Sequence, residues 1–121
     1  MTTCLIVDDS RVIRKLAQKM LGDMGIQTSE AENGVIAFDK CVQSIPDLVL
    51  LDWNMPVLDG MGFLERLRAT KLVPQPKVLF CTTESEFTKI AQAMAAGADE
   101  YIMKPFDAEI LASKLQILGI V

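Results

Sequence analysis

Several side chains in this sequence stand where they could share one chemistry. The acid pair Asp8-Asp9 follows the apolar run Cys4-Leu5-Ile6-Val7, and Asp52 follows Leu48-Val49-Leu50-Leu51. Thr82 and Thr83 follow Val78-Leu79-Phe80-Cys81, and Lys104 stands just before Pro105. An apolar run that ends in a carboxylate delivers that carboxylate to the rim of a sheet, where open parallel sheets keep their chemistry. Carboxylates gathered at one rim repel each other and partly protonate unless a cation joins them. Two unit charges about 4 Å apart cost on the order of 4 kcal/mol at an effective dielectric near 20. A divalent ion removes that cost. With oxygen ligands only, the hard cation Mg2+ suits the set, and it keeps positions open for water and a phosphate. Lys104 and the hydroxyl of Thr82 would face the same pocket as donors to anionic oxygens. A carboxylate beside Mg2+, a lysine and a threonine is a constellation for phosphoryl transfer to the carboxylate, giving an acyl phosphate. Asp52 would be the nucleophile, with Pro56 and Asp59-Gly60 turning the next loop away so that the acid stays accessible.

The elements that must position these groups can be read from the same sequence. Five short apolar runs alternate with five segments of helical period, and no Pro-, Gly- or Ser-rich tract separates them. Strands are expected near residues 4–8, 27–31, 48–52, 77–82 and 100–103. The first, third and fourth are apolar enough for burial on both faces, and the polar second one suits an edge. A helix after Ser10, a good cap, carries Ile13, Leu16, Ala17, Met20, Leu21 and Met24 at helical spacing, and Gly22 and Gly25 favour its reversal. Further helices are expected at about 35–44, 61–70, 86–96 and 108–118. The third would turn Phe63, Leu64 and Leu67 inward. Alternating strands and helices at this spacing give right-handed crossovers and a doubly wound α/β fold, (βα)5, in one domain spanning 1–121.

Composition removes several function classes. A chain of 121 residues, half of it apolar, can bury one core unaided. The net charge of −4, with no block of Lys or Arg, argues against nucleic-acid and anionic-membrane surfaces. The N-terminus has neither the basic start nor the apolar length of a signal peptide, and no run of about 18 apolar residues could span a bilayer. A cytoplasmic protein is expected. Cys4, Cys41 and Cys81 stand far apart in apolar contexts without a C-x-x-C, which suits reduced, buried thiols. The absence of histidine excludes a Ser/His/Asp or Cys/His triad and any zinc site built on imidazole.

Taken singly, an acid pair after a strand is usually a cap or a solvated turn, a lysine is surface, and a threonine forms turns. Their joint placement carries the argument. At Val7-Asp8-Asp9-Ser10, Asp52-Trp53-Asn54-Met55-Pro56 with Asp59-Gly60, Cys81-Thr82 and Met103-Lys104-Pro105-Phe106, the sequence resembles the receiver domain of two-component response regulators, most of all the single-domain chemotaxis type. The resemblance covers essentially the whole chain. It implies a flavodoxin-like sandwich with a five-stranded parallel sheet of order 2-1-3-4-5. It further implies that Asp52 accepts phosphate from a phosphohistidine on a sensor histidine kinase or a histidine phosphotransfer protein. Asp9 and Asp52 would be direct Mg2+ ligands, Asp8 would act through water, and the main-chain carbonyl of Asn54 would complete the protein ligands. Thr82 and Lys104 would bind phosphoryl oxygens, and Tyr101 would take the aromatic switch position. Asn54 and Glu84, two residues beyond Asp52 and Thr82, match the rapidly self-hydrolysing chemotaxis type. Such a chain is a phosphoacceptor and not an enzyme acting on a separate substrate, although it promotes its own phosphorylation and dephosphorylation.

The chain ends just after the fifth helix, so the expectation is a monomer without an output domain. Its output is a contact with a downstream protein through the face of helix four, strand five and helix five. Regulators that bind the flagellar switch carry a lysine pair at the start of helix four, where this chain has Glu86-Phe87. Chemotaxis output, regulation of a kinase or other pathway, and a phosphate sink or shuttle in a phosphorelay all remain compatible. Two more distant readings compete. A flavodoxin-like electron carrier needs a Ser/Thr/Gly-rich loop after strand one, and Asp8-Asp9 would repel its flavin phosphate. A phosphatase with an aspartate nucleophile wants a second acid two residues on, where Asn54 stands.

Overall fold

A computed structural model describes residues 1–55, 57–83 and 88–121. Strands and helices alternate throughout: β1 Thr3–Val7, α1 Arg11–Asp23, β2 Gln27–Ala31, α2 Gly34–Gln43, β3 Leu48–Asp52, α3 Gly60–Ala69, β4 Lys77–Thr82, α4 Lys89–Ala96, β5 Glu100–Met103 and α5 Ala108–Ile117. The sheet has five strands, all paired in parallel, in the order β2-β1-β3-β4-β5. This is the doubly wound (βα)5 architecture that the alternating pattern requires.

Side chains along a strand point alternately to the two faces of its sheet, and the core divides on that period. Leu5, Val7, Val49, Leu51, Val78 and Phe80 face one layer, closed by Ala37 and Cys41 of α2, Phe63, Leu64 and Leu67 of α3 and Ala93 of α4. Cys4, Ile6, Leu48, Leu50, Leu79 and Cys81 face the other, closed by Ala17 and Leu21 of α1 and Leu111 and Leu115 of α5. β1, β3 and β4 are central, and both their faces are covered. β2 is a sheet edge, and its Gln27, Thr28, Ser29 and Glu30 are exposed or half-buried. Lys40 of α2 donates to the Glu30 carbonyl there.

Capping fixes where helices begin. Ser10 Oγ accepts from the Ile13 amide at 3.3 Å, and Asn33, Asp59 and Asp107 cap α2, α3 and α5 in the same way. Gly25, at φ 81°, takes the left-handed conformation that reverses the chain after α1, whereas Gly22 lies inside the helix.

The structure differs from the sequence expectations at several points. β1 ends at Val7, so Asp8 lies just beyond the strand and not within it. On α1, Ala17 and Leu21 are buried, but Leu16 is 51% exposed and Val12 more so, because the apolar positions outnumber those the sheet can cover. α2 begins at Gly34 and α3 at Gly60, each one residue earlier than expected, and α5 stops at Ile117. The expected start of helix four, including Glu86-Phe87, lies outside the described residues, and the described helix begins at Lys89. All three cysteines are free and buried, as expected of packing residues. Burial pushes the Cys4 thiol up to about 12 and that of Cys41 to about 11, so neither forms a thiolate near neutrality.

Candidate phosphoacceptor site

The alternation that divides the core also assembles the rim. Asp8, beyond Ile6, and Asp52, beyond Leu50, continue the face that carries α1 and α5, and Lys104 continues it from Ile102 on β5. The lysine therefore meets both acids. Its Nζ lies 2.7 Å from Asp52 Oδ1 and 3.1 Å from Asp8 Oδ2. Both carboxylates are largely buried. Asp9 is exposed, and Asp8, Asp9 and Asp52 each offer a carboxylate oxygen within 4.8 Å of the others.

Electrostatics follow from that crowding. Burial pushes the Asp52 carboxyl above its ordinary range; the Lys104 ammonium pulls it back and the Asp8 charge pushes it further up, with the net direction upward. Burial alone would lower the pKa of Lys104, but its hydrogen bond to Asp52 and the charge of both acids outweigh that and hold it above the usual lysine value. Three carboxylates against one lysine leave net negative charge at a rim whose donors are all oxygen. That donor set fits a hard divalent ion such as Mg2+.

Asp8 is held on every side. Its amide donates to the Ala31 carbonyl at 3.1 Å, extending the β1–β2 ladder. Its Oδ1 accepts from the Ser10 amide at 2.9 Å, its Oδ2 takes Lys104, and its carbonyl accepts from Arg14 Nη1 at 2.8 Å. Sequence reasoning missed Arg14. The only signal was a basic residue one turn after the Ser10 cap.

The turn expected at Asp59-Gly60 does not lead the chain away from Asp52. Instead, Asp59 caps α3 through the Gly62 amide at 2.8 Å, and the helix start comes back onto the strand end. The Gly60 amide donates to the Trp53 carbonyl at 3.0 Å, and a Cβ on Gly60 would stand 2.3 Å from the Asp52 carbonyl. Pro56 lies outside the described residues. Trp53 points to the opposite layer, where its ring meets Phe80 edge to face at 5.3 Å and Lys89 Nζ lies 4.8 Å from its centre.

Two expected site residues lie apart from the acids. Thr82 is fully buried and shares its face with Phe80, the α4 side of the sheet; its hydroxyl donates to the Thr83 carbonyl at 3.2 Å. Tyr101 is the register partner of Phe80 on β5 and packs, half-buried, against the same layer. Lys114 of α5 places its Nζ 4.4 Å from the Tyr101 ring centre. Asn54 is exposed in the loop two residues past Asp52, and Glu84 lies outside the described residues. The rim therefore holds Asp8, Asp9, Asp52 and Lys104 together, with Thr82 and Tyr101 aligned on the other face.

Among the described residues no helix is long and apolar enough to cross a membrane. The response regulator receiver domain family matches residues 4–116. Chemotaxis protein CheY-3 of Vibrio cholerae is 38% identical over 112 residues, covering 92% of this chain and 86% of that one. Chemotaxis protein CheY1 of Helicobacter pylori is 34% identical over 116 residues, 94% of each chain. The crystal structure of Vibrio cholerae chemotaxis protein CheY4 superposes with a TM-score of 0.89 at 33% identity, over 97% of this chain and 98% of that one. Fold, rim and relatives agree: the chain belongs to the response regulator receiver domain family, as a two-component phosphoacceptor homologous to the CheY chemotaxis regulators.

Proposed function

We propose that Asp52 is the residue that takes up the phosphoryl group, in a Mg2+-assisted transfer from a phosphohistidine of a sensor kinase or a histidine phosphotransfer protein. The observation that carries this reading is the position of Asp52 at the end of a central strand, 2.7 Å from Lys104 and within a cluster of carboxylates. An oxygen of the Asp52 carboxylate attacks phosphorus and the P–N bond breaks. Its electron pair stays on the imidazole of the donor, and an acyl phosphate forms. Bound Mg2+ would supply charge neutralisation for the transferring oxygens, held by Asp9, Asp52 and the Asn54 carbonyl, with Asp8 acting through water. Lys104, already the counterion of Asp52, can follow the charge to a phosphoryl oxygen without crossing the pocket. Attack of water on phosphorus later returns the carboxylate and inorganic phosphate, with Asn54 and Glu84 tuning its approach.

Readout follows from the face opposite the acids. Turning the Thr82 hydroxyl from the Thr83 carbonyl to a phosphoryl oxygen vacates space in the layer that Tyr101 shares, and the α4–β5–α5 face then meets a downstream protein. Phosphate shifts this equilibrium only by binding the two states differently, so the Lys104 and Thr82 contacts must be stronger in the active one. In this reading the chain acts as a monomeric, cytoplasmic, single receiver domain.

Incubation with acetyl phosphate and Mg2+ should add one phosphoryl group by intact mass, and Asp52→Asn should add none. Equal labelling of that variant would overturn the assignment.

A further inference from the structure

We infer that Arg14 is a positioning residue for the phosphoacceptor rim: by bridging Glu30 and the Asp8 carbonyl, it fixes the Asp8–Asp9 peptide and so aims the Asp9 carboxylate at Asp52. The inference rests on the reading of Asp9 and Asp52 as cation ligands and goes beyond it, since Arg14 touches neither carboxylate.

Arg14 Nη1 donates to the Asp8 carbonyl at 2.8 Å while Nε pairs with Glu30 Oε1 at 3.1 Å. The two contacts use adjacent edges of one planar guanidinium, so the group is oriented and not merely near. Glu30 is in turn held by Lys15, whose Nζ lies 2.8 Å from Oε2. Lys15 and the Arg14 contact together hold the Glu30 carboxyl below its usual range, which keeps it charged and paired. The guanidinium is mostly buried between α1 and the edge strand β2.

The carbonyl that Arg14 holds belongs to the peptide plane joining Asp8 to Asp9. Asp8 has further constraints of its own in the Ala31, Ser10 and Lys104 bonds. Asp9 has none of that kind: among the described residues no hydrogen bond orients its exposed carboxylate. Its aim comes from the main chain before it. Fixing that peptide is what brings an Asp9 oxygen within 4.8 Å of those of Asp8 and Asp52.

Positioning and simple charge make opposite predictions. A cation beside an acidic rim repels Mg2+, so if charge were the whole effect, Arg14→Gln would tighten Mg2+ binding. If Arg14 positions, the same substitution weakens it, by about tenfold, as the loss of groups that orient metal ligands commonly does. Arg14→Lys keeps the charge but replaces a two-edged fork by a single nitrogen, so it too should weaken binding.

Mg2+ is titrated against the metal-free wild type and both variants with Trp53 fluorescence, and each melting curve is recorded. Amide exchange of Asp8 and Ser10 is measured in the metal-free protein. Weaker Mg2+ binding in both variants, with those amides exchanging about tenfold faster in Arg14→Gln, is the expected result. If Arg14→Gln fails to fold, Arg14→Lys carries the comparison. Unchanged or tighter Mg2+ binding in the folded variants overturns the inference and leaves the proposed function standing. A wild-type chain without any Mg2+ response overturns the cation reading instead, and unchanged amide exchange would then overturn the clamp itself.

Discussion

Gly60 lies against the main chain of Asp52 so closely that a Cβ would stand 2.3 Å from the Asp52 carbonyl oxygen. The atom it would meet is backbone, with no flexible side chain to swing away. Gly60→Ala must therefore move the start of α3 or the end of β3. Overpacking of this kind costs about 1–3 kcal/mol. Chemical denaturation should show that loss, and phosphorylation by acetyl phosphate should slow as well, because the displaced atoms carry Asp52.

The raised pKa of Asp52 makes a statement about stability. A group whose folded pKa lies above its unfolded value favours its protonated form in the fold, so ionising it costs stability. That cost is absent well below the ordinary value of 3.8 and is complete above the raised folded value. Asp52→Asn mimics the neutral form. Its melting temperature should exceed that of the wild type at pH 7, and the difference should shrink as pH falls toward 3.8. A variant less stable than the wild type at pH 7 would contradict this.

Lys104 offers the converse case. Its folded pKa is raised above the ordinary 10.5, so its stabilising contribution is fully present below that pH and is lost only as pH rises through the folded value. Lys104→Met leaves Asp8 and Asp52 facing each other without their shared cation. A loss of about 2–4 kcal/mol is expected at pH 7, somewhat less than for a fully buried pair because the lysine retains some exposure. Acidification should narrow the gap as the carboxylates protonate. Melting curves from pH 4 to pH 9 test the direction, and an equally stable variant at pH 7 would count against the pairing.

Val57, in the loop between Asp52 and α3, has φ 72° and a side chain 82% exposed. A β-branched residue in the left-handed region is strained, and its exposed side chain recovers little through packing. Val57→Asn, which tolerates that conformation, should stabilise the chain by about 1 kcal/mol. Denaturant midpoints compare the two, and a destabilised variant would show that the valine has contacts that matter more than its backbone.

The strands were legible because burial on both faces leaves uninterrupted apolar runs, as at Leu48–Leu51, and the helices because of their apolar spacing, the first with Ser10 announcing its start; the caps Asn33, Asp59 and Asp107 emerge only from the structure. The acids and the lysine of the rim could be named because each ends or follows such a run. What the sequence lacks is inter-strand register. Nothing local says that Cys81 stands opposite Asp52, and hence that the Thr82 side chain falls on the far face with that of Tyr101. The exposure of Leu16 was hidden for a related reason: helical spacing identifies a stripe, but the width that the sheet covers is set by the neighbouring layer. Arg14 and Gly60 act through main-chain carbonyls, which every residue has, so no pairing of residue types pointed to either contact.

The two rims of the sheet bear on how this chain behaves among its own copies. An open strand edge offers a row of donors and acceptors on which another chain can template a further strand, and long apolar edges invite aggregation. Here one margin is the five-residue β2, with Gln27, Thr28, Ser29 and Glu30 along it and Lys40 drawn onto the Glu30 carbonyl. The other is the four-residue β5, whose Glu100 and Tyr101 are both attended by Lys114 of α5. Short length and local cations blunt each margin against self-pairing. Such a sheet can stay dispersed at high concentration while its helical faces remain available to other proteins.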